Sequence, residues 1–318
     1  MSKRIKGILI ILSSMFFILG IIVSYNLIKQ DEEPIEEIPK IITTEDKINY
    51  LKSIFYNKNV SILGDSISTY EGYSNDYINT NSTIKNNRSY YKESNHIMEV
   101  TNTWWLRTIN LLDMNLLVNN SFSGDKVTTG GLIRSKELHD NTGDNKDTLP
   151  DIIFVYIGIN DYIKGVEVEE FKISYDTMIN NIITSYPKSK IYILNLIPTK
   201  ASLRDLEEFN NIIIEVSNKY KTNIIDLNKN SNIDLSNCST YMVDAKCLHP
   251  NITGMTTMSN VIIDTLYEEY KQPEEPSIKE EINIIEDYNY LGDILIIIIL
   301  SLTIIVGTCF IKLYEKRK

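Results

Sequence analysis

Ser66 stands in the triplet Gly64-Asp65-Ser66, directly after the apolar run Val60-Ser61-Ile62-Leu63. A hydroxyl is thereby offered where a buried strand ends and the chain must turn. An unassisted serine is a poor nucleophile; it needs a base within hydrogen-bond reach, and the base needs an acceptor to orient it. The chain of 318 residues holds 3 histidines. His96 and His139 lie in polar stretches, whereas His249 lies in Leu248-His249-Pro250-Asn251, where Pro250 and Asn251 introduce a helix. His249 is the candidate base.

Acyl transfer also requires donors for a developing oxyanion, each worth about 3 kcal/mol of barrier. Two later segments look like partners for Ser66. Asn119-Asn120-Ser121-Phe122-Ser123-Gly124-Asp125 brings a glycine without a Cβ to block close approach, and Gly158-Ile159-Asn160-Asp161 brings a side-chain amide after a second buried run. Taken singly, each has an ordinary explanation: a tight turn at Gly124, a local Asx hydrogen bond at Asn160, a strand-to-loop turn at Ser66. Asp65, Asp125 and Asp161 flank these positions, where acids commonly fix turns.

In this order and spacing, the Ser66, Gly124, Asn160 and His249 blocks resemble the SGNH (GDSL-type) hydrolase family, over roughly Val60 to Tyr270. The resemblance implies a serine esterase with Ser66 as nucleophile and His249 as base. It implies an oxyanion hole from the N–H groups of Ser66 and Gly124 and the side-chain amide of Asn160, and a reaction that requires no metal or organic cofactor. One block departs from the family. The usual acid three residues before the histidine is replaced by Lys246, and the nearest acid upstream is Asp244, five residues before His249. A lysine cannot accept the imidazole N–H. The expectation is a two-residue bulge that brings Asp244 to His249; the alternatives are a Ser-His dyad, a slow enzyme, or a non-catalytic glycan-binding module. Cys247 lies inside the irregular segment, and an extracellular pair with Cys238 can form a disulfide that holds the loop in shape or remain as two thiols.

The elements that must position these residues follow from periodicity. Short apolar runs at Val60 to Leu63, Leu116 to Asn119, Ile152 to Ile157, Lys190 to Leu196 and Asn223 to Asp226 alternate with helical patterns. The helices read from Thr44 to Tyr56, Thr103 to Leu112, Val168 to Tyr186, Leu203 to Tyr220 and Asn251 to Tyr270. Alternation of this kind argues for parallel strands joined by crossovers. The fold class is therefore α/β, a three-layer α/β/α sandwich with a five-stranded parallel sheet, for which the resemblance implies flavodoxin-like strand order. Trp104 and Trp105 read as core, with a place in a substrate groove as the alternative. The stretches Tyr70 to Thr101 and Lys136 to Thr148 lack periodicity and read as polar loops over the strand ends.

Both ends of the chain are apolar. Gly7 to Tyr25 and Ile294 to Ile311, the latter containing Cys309, are long enough to cross a ~30 Å hydrocarbon core. Lys3, Arg4 and Lys6 precede the first, and Lys312, Lys316, Arg317 and Lys318 follow the core of the second. The positive-inside rule puts both termini in the cytoplasm and the region between them outside the cell; a cleaved signal peptide is the alternative for the first run. The expected organisation is an N-terminal membrane anchor over 1–30, an acidic linker over 31–47, the hydrolase domain over 48–271, a second acidic linker over 272–290, a transmembrane helix over 291–313 and a basic tail over 314–318. With a net charge of −10 and cationic ends, the middle is more acidic still, which argues against nucleic acid as a partner. An ester on a cell-surface glycan or peptidoglycan, most simply an O-acetyl group, is the expected substrate. A lipid acyl ester comes second, because the loop beside the nucleophile is polar and rich in tyrosine.

Overall fold

The structure, a computed structural model, describes residues 42–73, 89–93, 96–140 and 148–272, with scattered helical positions between 7 and 22 and between 296 and 315. The chain divides into two units, Met1–Thr43 and Thr44–Lys318. In the first, the described positions between 7 and 22 are helical and mostly exposed.

The second unit is built on a parallel sheet of β1 (Asn59–Gly64), β2 (Asn115–Ser121), β3 (Ile152–Tyr156), β4 (Lys190–Leu194) and β5 (Asn223–Ile225) in the order β2-β1-β3-β4-β5. This is the doubly wound, flavodoxin-like order, in which the switch point lies between β1 and β3 and ligands bind beyond the strand C-termini. Both Ser66 and Asn160 follow strands that flank that switch point. The principal helices are α1 (Thr44–Phe55), α2 (Trp104–Leu111), α3 (Val168–Ser185), α4 (Leu206–Tyr220) and α5 (Ile252–Tyr270).

Side-chain alternation assigns the helices to two layers. On β3, Phe154 and Tyr156 point to one face, where both meet the edge of Trp104. Their neighbour Tyr192 donates its hydroxyl to Glu269 of α5, and α1 joins the same layer through Phe55 against Tyr270. The other layer is α3 on α4, joined by Phe171 against Phe209. Sheets covered on both faces bury their strands completely, and all five residues of β3 are buried.

Polar side chains decide where elements end. α4 starts at Leu206 because the Asp205 carboxylate caps the Glu207 N–H at 2.9 Å; Leu203, read as its first residue, is fully exposed. β4 stops at Leu194 because side chains replace the ladder: the Leu196 N–H donates to Asn210 Oδ1, and the Asn228 N–H donates to Asn195 Oδ1. β3 stops one residue short of Ile157, before the positive-φ Gly158.

Trp104 and Trp105 are core as read, both fully buried, and the groove alternative falls; the Trp104 indole N–H reaches Ser68 Oγ at 3.3 Å. One reading is corrected: the stretch Tyr70 to Thr101 is not only a polar loop, since Tyr70, Tyr91 and Ile97 are buried in the core; its residues 74–88, 94 and 95 lie outside the described set, as do 141–147 of the second loop. Among the described residues no helix is long and apolar enough to cross a membrane. Only scattered positions of the two expected spans are described; the rest of both, Cys309 included, and most of both acidic linkers lie outside those residues.

Candidate active site

β1 ends at Gly64, where the chain passes too close to its neighbours for any side chain: a Cβ there would lie 2.5 Å from Ser68 Oγ and 2.8 Å from Ser121 Oγ. A single 3-10 turn follows, Ser66–Ser68, capped by Asp65, whose Oδ1 accepts the Ile67 N–H at 3.0 Å. Thr69 closes the turn from the other side, donating its hydroxyl to the Ser66 carbonyl at 2.8 Å. Asp65 is 1 % exposed. Burial pushes its carboxyl up to about 7, the Ile67 N–H opposing and the Asp161 charge reinforcing the shift.

The histidine block is a narrow paired loop. The Val243 N–H donates to the His249 carbonyl, the Asn251 N–H donates to the Tyr241 carbonyl, and Met242 bridges Pro250. Between the paired arms the chain turns at Asp244 to Cys247, with the Cys247 N–H bonded to the Asp244 carbonyl at 3.0 Å and Cys247 in the left-handed region at φ 54°. This turn takes up the two extra residues. Asp244 Oδ1 accepts the Lys246 N–H at 2.9 Å, and Oδ2 lies 3.3 Å from His249 Nδ1. On the other side of the ring, His249 Nε2 lies 3.1 Å from Ser66 Oγ. Lys246 points its side chain into solvent, while its carbonyl accepts from the Lys200 N–H and the Thr199 hydroxyl. A disulfide joins Cys238 to Cys247 with Cα atoms 5.6 Å apart, fastening the turn to the short helix Cys238–Tyr241. At the far end, the Asn251 side chain caps α5 by accepting the Gly254 N–H.

Burial pushes the His249 imidazole below its ordinary value, with the hydrogen bond and charge of Asp244 opposing and His96 adding to the depression. A neutral ring at pH 7 with one nitrogen toward a hydroxyl and the other toward a carboxylate is the arrangement a general base requires.

The donors come from the loops after β2 and β3. The Phe122 N–H donates to the Gly64 carbonyl and the Asp125 N–H to the Phe122 carbonyl, so Gly124 occupies a tight turn at φ 78°. Asn160 opens the short helix Ile159–Ile163 after Gly158, whose φ of 132° only glycine adopts at ease. The Asn160 Nδ2 is buried with no hydrogen-bond partner among the described residues. A buried amide left unpaired costs about 1–3 kcal/mol, and such a donor is one that a ligand oxygen can satisfy.

Two acids hold these loops. Asp161 accepts the Val127 and Thr128 N–H groups and the Thr128 hydroxyl, tying the Asn160 helix to the segment after Gly124. Asp125 accepts the Gly130 N–H and pairs with the Arg134 guanidinium. Turn fixation was the expected role for both. Three further contributors were not singled out from the sequence: Thr69, Tyr90, and Lys164, whose Nζ donates to the Gly124 carbonyl at 2.7 Å. None lies in a motif: Thr69 and Lys164 follow the Ser66 and Asn160 blocks by a few residues, and Tyr90 is brought there by the fold alone.

A doubly wound sheet that carries a serine, a histidine and a carboxylate in line at its C-terminal edge has the form of an ester hydrolase. The model of the GDSL-like lipase/acylhydrolase family matches residues 58–266, and the chain belongs to that family of ester-hydrolysing enzymes. A crystal structure described as a GDSL-like lipase from Bacteroides ovatus ATCC 8483 is 28% identical, covers 67% of this chain and 99% of its own, and superposes with a TM-score of 0.51. A second, described in the same words from Bacteroides uniformis ATCC 8492, is 25% identical over 67% of this chain and 95% of its own, with a TM-score of 0.48, too low to carry weight. No curated protein matches the chain.

Proposed function

We propose that the protein is an extracytoplasmic serine esterase that removes O-acyl groups, chiefly O-acetyl, from cell-surface polysaccharide or peptidoglycan. His249 Nε2 takes the Ser66 proton as Oγ attacks the ester carbonyl, and Asp244 holds Nδ1–H and steadies the imidazolium. The tetrahedral oxyanion is met by the N–H groups of Ser66 and Gly124 and by Asn160 Nδ2. Collapse expels the alcohol, which takes the proton from His249; water, activated by the same ring, then cleaves the acyl-enzyme and restores Ser66.

The observation that carries the catalytic reading is the unbroken run of contacts from Ser66 Oγ through the His249 ring to Asp244 Oδ2, at 3.1 and 3.3 Å. The membrane reading is supported by the two uncharged terminal runs and by apolar side chains that are helical and exposed within them, such as Phe17, Leu19, Ile297 and Ile304. In this reading both termini are cytoplasmic and the catalytic domain lies outside. The glycan reading is supported by the polar composition of the loop beside the nucleophile, and by acidic linkers that keep the domain off an anionic bilayer.

The test is hydrolysis of p-nitrophenyl acetate, butyrate and octanoate, and acetate release from an O-acetylated glycan, by wild type and Ser66→Ala. Release that is abolished in Ser66→Ala and greatest for acetate supports the proposal. Preference for octanoate would replace it with a lipid acyl hydrolase, and release that survives in Ser66→Ala would remove Ser66 as nucleophile.

A further inference from the structure

One face of the His249 imidazole is covered by the Tyr90 ring, with centroids 3.5 Å apart and planes 9° from parallel. Tyr91 stands edge-on to the same imidazole at 6.4 Å and 82°. This pair lies far in sequence from the histidine, yet it is fastened to both halves of the site. The Tyr90 N–H donates to Thr69 Oγ1 at 2.9 Å, the hydroxyl that in turn donates to the Ser66 carbonyl. The Glu71 N–H donates to the Tyr91 carbonyl, and the buried Tyr91 hydroxyl donates to the carbonyl of Pro250, the residue after His249. The ring of Tyr90 is therefore set by the nucleophile turn on one side and by the histidine block on the other.

We infer that Tyr90 is a positioning residue: its ring keeps the imidazole plane in line with Ser66 and Asp244 and presents a π face to the positive charge His249 acquires on taking the serine proton. The inference rests on the acyl-transfer reading above. Stacking removes one way for the imidazole to swing away from the line between Ser66 Oγ and Asp244, and a face-on aromatic ring attracts a cation more than a neutral ring. Among the described residues, the groups that face His249 are Ser66 Oγ, the Asp244 carboxylate and the rings of Tyr90 and Tyr91, and His96, which adds to its depression, stands 6.2 Å from the Tyr90 ring. Burial is the largest influence on the imidazole, and Tyr90 supplies much of the cover on its face. Replacing that ring by a methyl group admits water, so the titration of His249 moves up toward its ordinary value even though a cation–π contact is lost.

The experiment compares wild type, Tyr90→Phe and Tyr90→Ala in the pH profile of kcat/KM and in an NMR titration of His249, which has only His96 and His139 for company in the spectrum. The NMR series is run on a Ser66→Ala background, where it reads the stacking whether or not the enzyme turns over. Tyr90→Phe is expected to stay within about twofold of wild type, with kcat in Tyr90→Ala falling roughly tenfold or more at a KM changed by less than about threefold. The acid limb and the His249 midpoint both move to higher pH in Tyr90→Ala alone. The inference is overturned if Tyr90→Ala keeps the rate and midpoint of wild type, if it loses rate with the midpoint unmoved, or if Tyr90→Phe is as impaired as Tyr90→Ala. Undiminished hydrolysis by Ser66→Ala would instead sink the acyl-transfer reading, leaving the NMR arm to decide the stacking separately.

Discussion

At the scale of single residues, the site divides into groups that meet the reacting atoms and groups that hold them. Asn160 belongs to the first kind in the proposed mechanism. Its unpaired Nδ2 is expected to pair in the transition state, so Asn160→Ala should lower kcat about 10²-fold with little change in KM, as steady-state kinetics would reveal. The depressed His249 places the acid limb of kcat/KM below the ordinary imidazole value of about 6.5; a limb at or above that value would contradict the assignment of His249 as the buried base. Asp65 bears on stability rather than rate. Its folded pKa is raised from 3.8 to about 7, so the folded state binds the proton more tightly than the unfolded one. Its contribution is fully present below pH 3.8 and is lost as pH rises through about 7. Asp65→Asn keeps an oxygen for the Ile67 N–H and removes the charge, so it should be more stable than wild type at pH 8 but not at pH 4, a contrast that urea unfolding at the two pH values would measure. The residue-level legibility of the chain was uneven. Ser66, Gly124, Asn160 and His249 were readable because each stands in a block whose neighbours betray a turn. Tyr90 was not, because a tyrosine in an aperiodic polar stretch carries no local mark of the ring it will cover.

At the scale of elements, the displaced acid and a bulge bringing it to His249 were legible, but the form of the turn was not. Asp244 stands where a two-residue excess had to be absorbed, and nothing in the sequence around it dictates the left-handed Cys247 or the Val243 to His249 pairing that absorb it. The disulfide to Cys238 closes a loop of about ten residues, for which loop-closure entropy gives roughly 2–3 kcal/mol. Cys238→Ser/Cys247→Ser is expected to lose stability of that order in urea unfolding and to reduce kcat, since the turn that presents Asp244 is freed at one end; an unchanged kcat would show that the bridge does not hold the acid in place. Strands and long helices were readable almost residue by residue, since a doubly covered parallel sheet demands uninterrupted apolar runs. Their ends were readable only where a cap or a proline announced them. Asn195, just after the strand, and Asn210, inside α4, supply side-chain partners beyond the end of β4, and neither carries a local mark of that role.

At the scale of the whole molecule, the sheet order puts the β1 and β3 C-termini side by side and the family match spans them both. The apolar ends give the remaining part of the proposal its own test. The full chain should sediment with membranes and resist extraction at high pH, with the catalytic domain open to protease added outside the cell; release by alkaline wash would contradict the two-span reading. The central claim is that Ser66 is activated through His249, and covalent labelling tests it most directly. A fluorophosphonate should modify the folded protein at one site, located by mass spectrometry on the peptide carrying Ser66, and His249→Ala should slow that labelling by orders of magnitude while leaving the fold intact. Labelling at another serine, or labelling of Ser66 at the same rate without His249, would contradict the account.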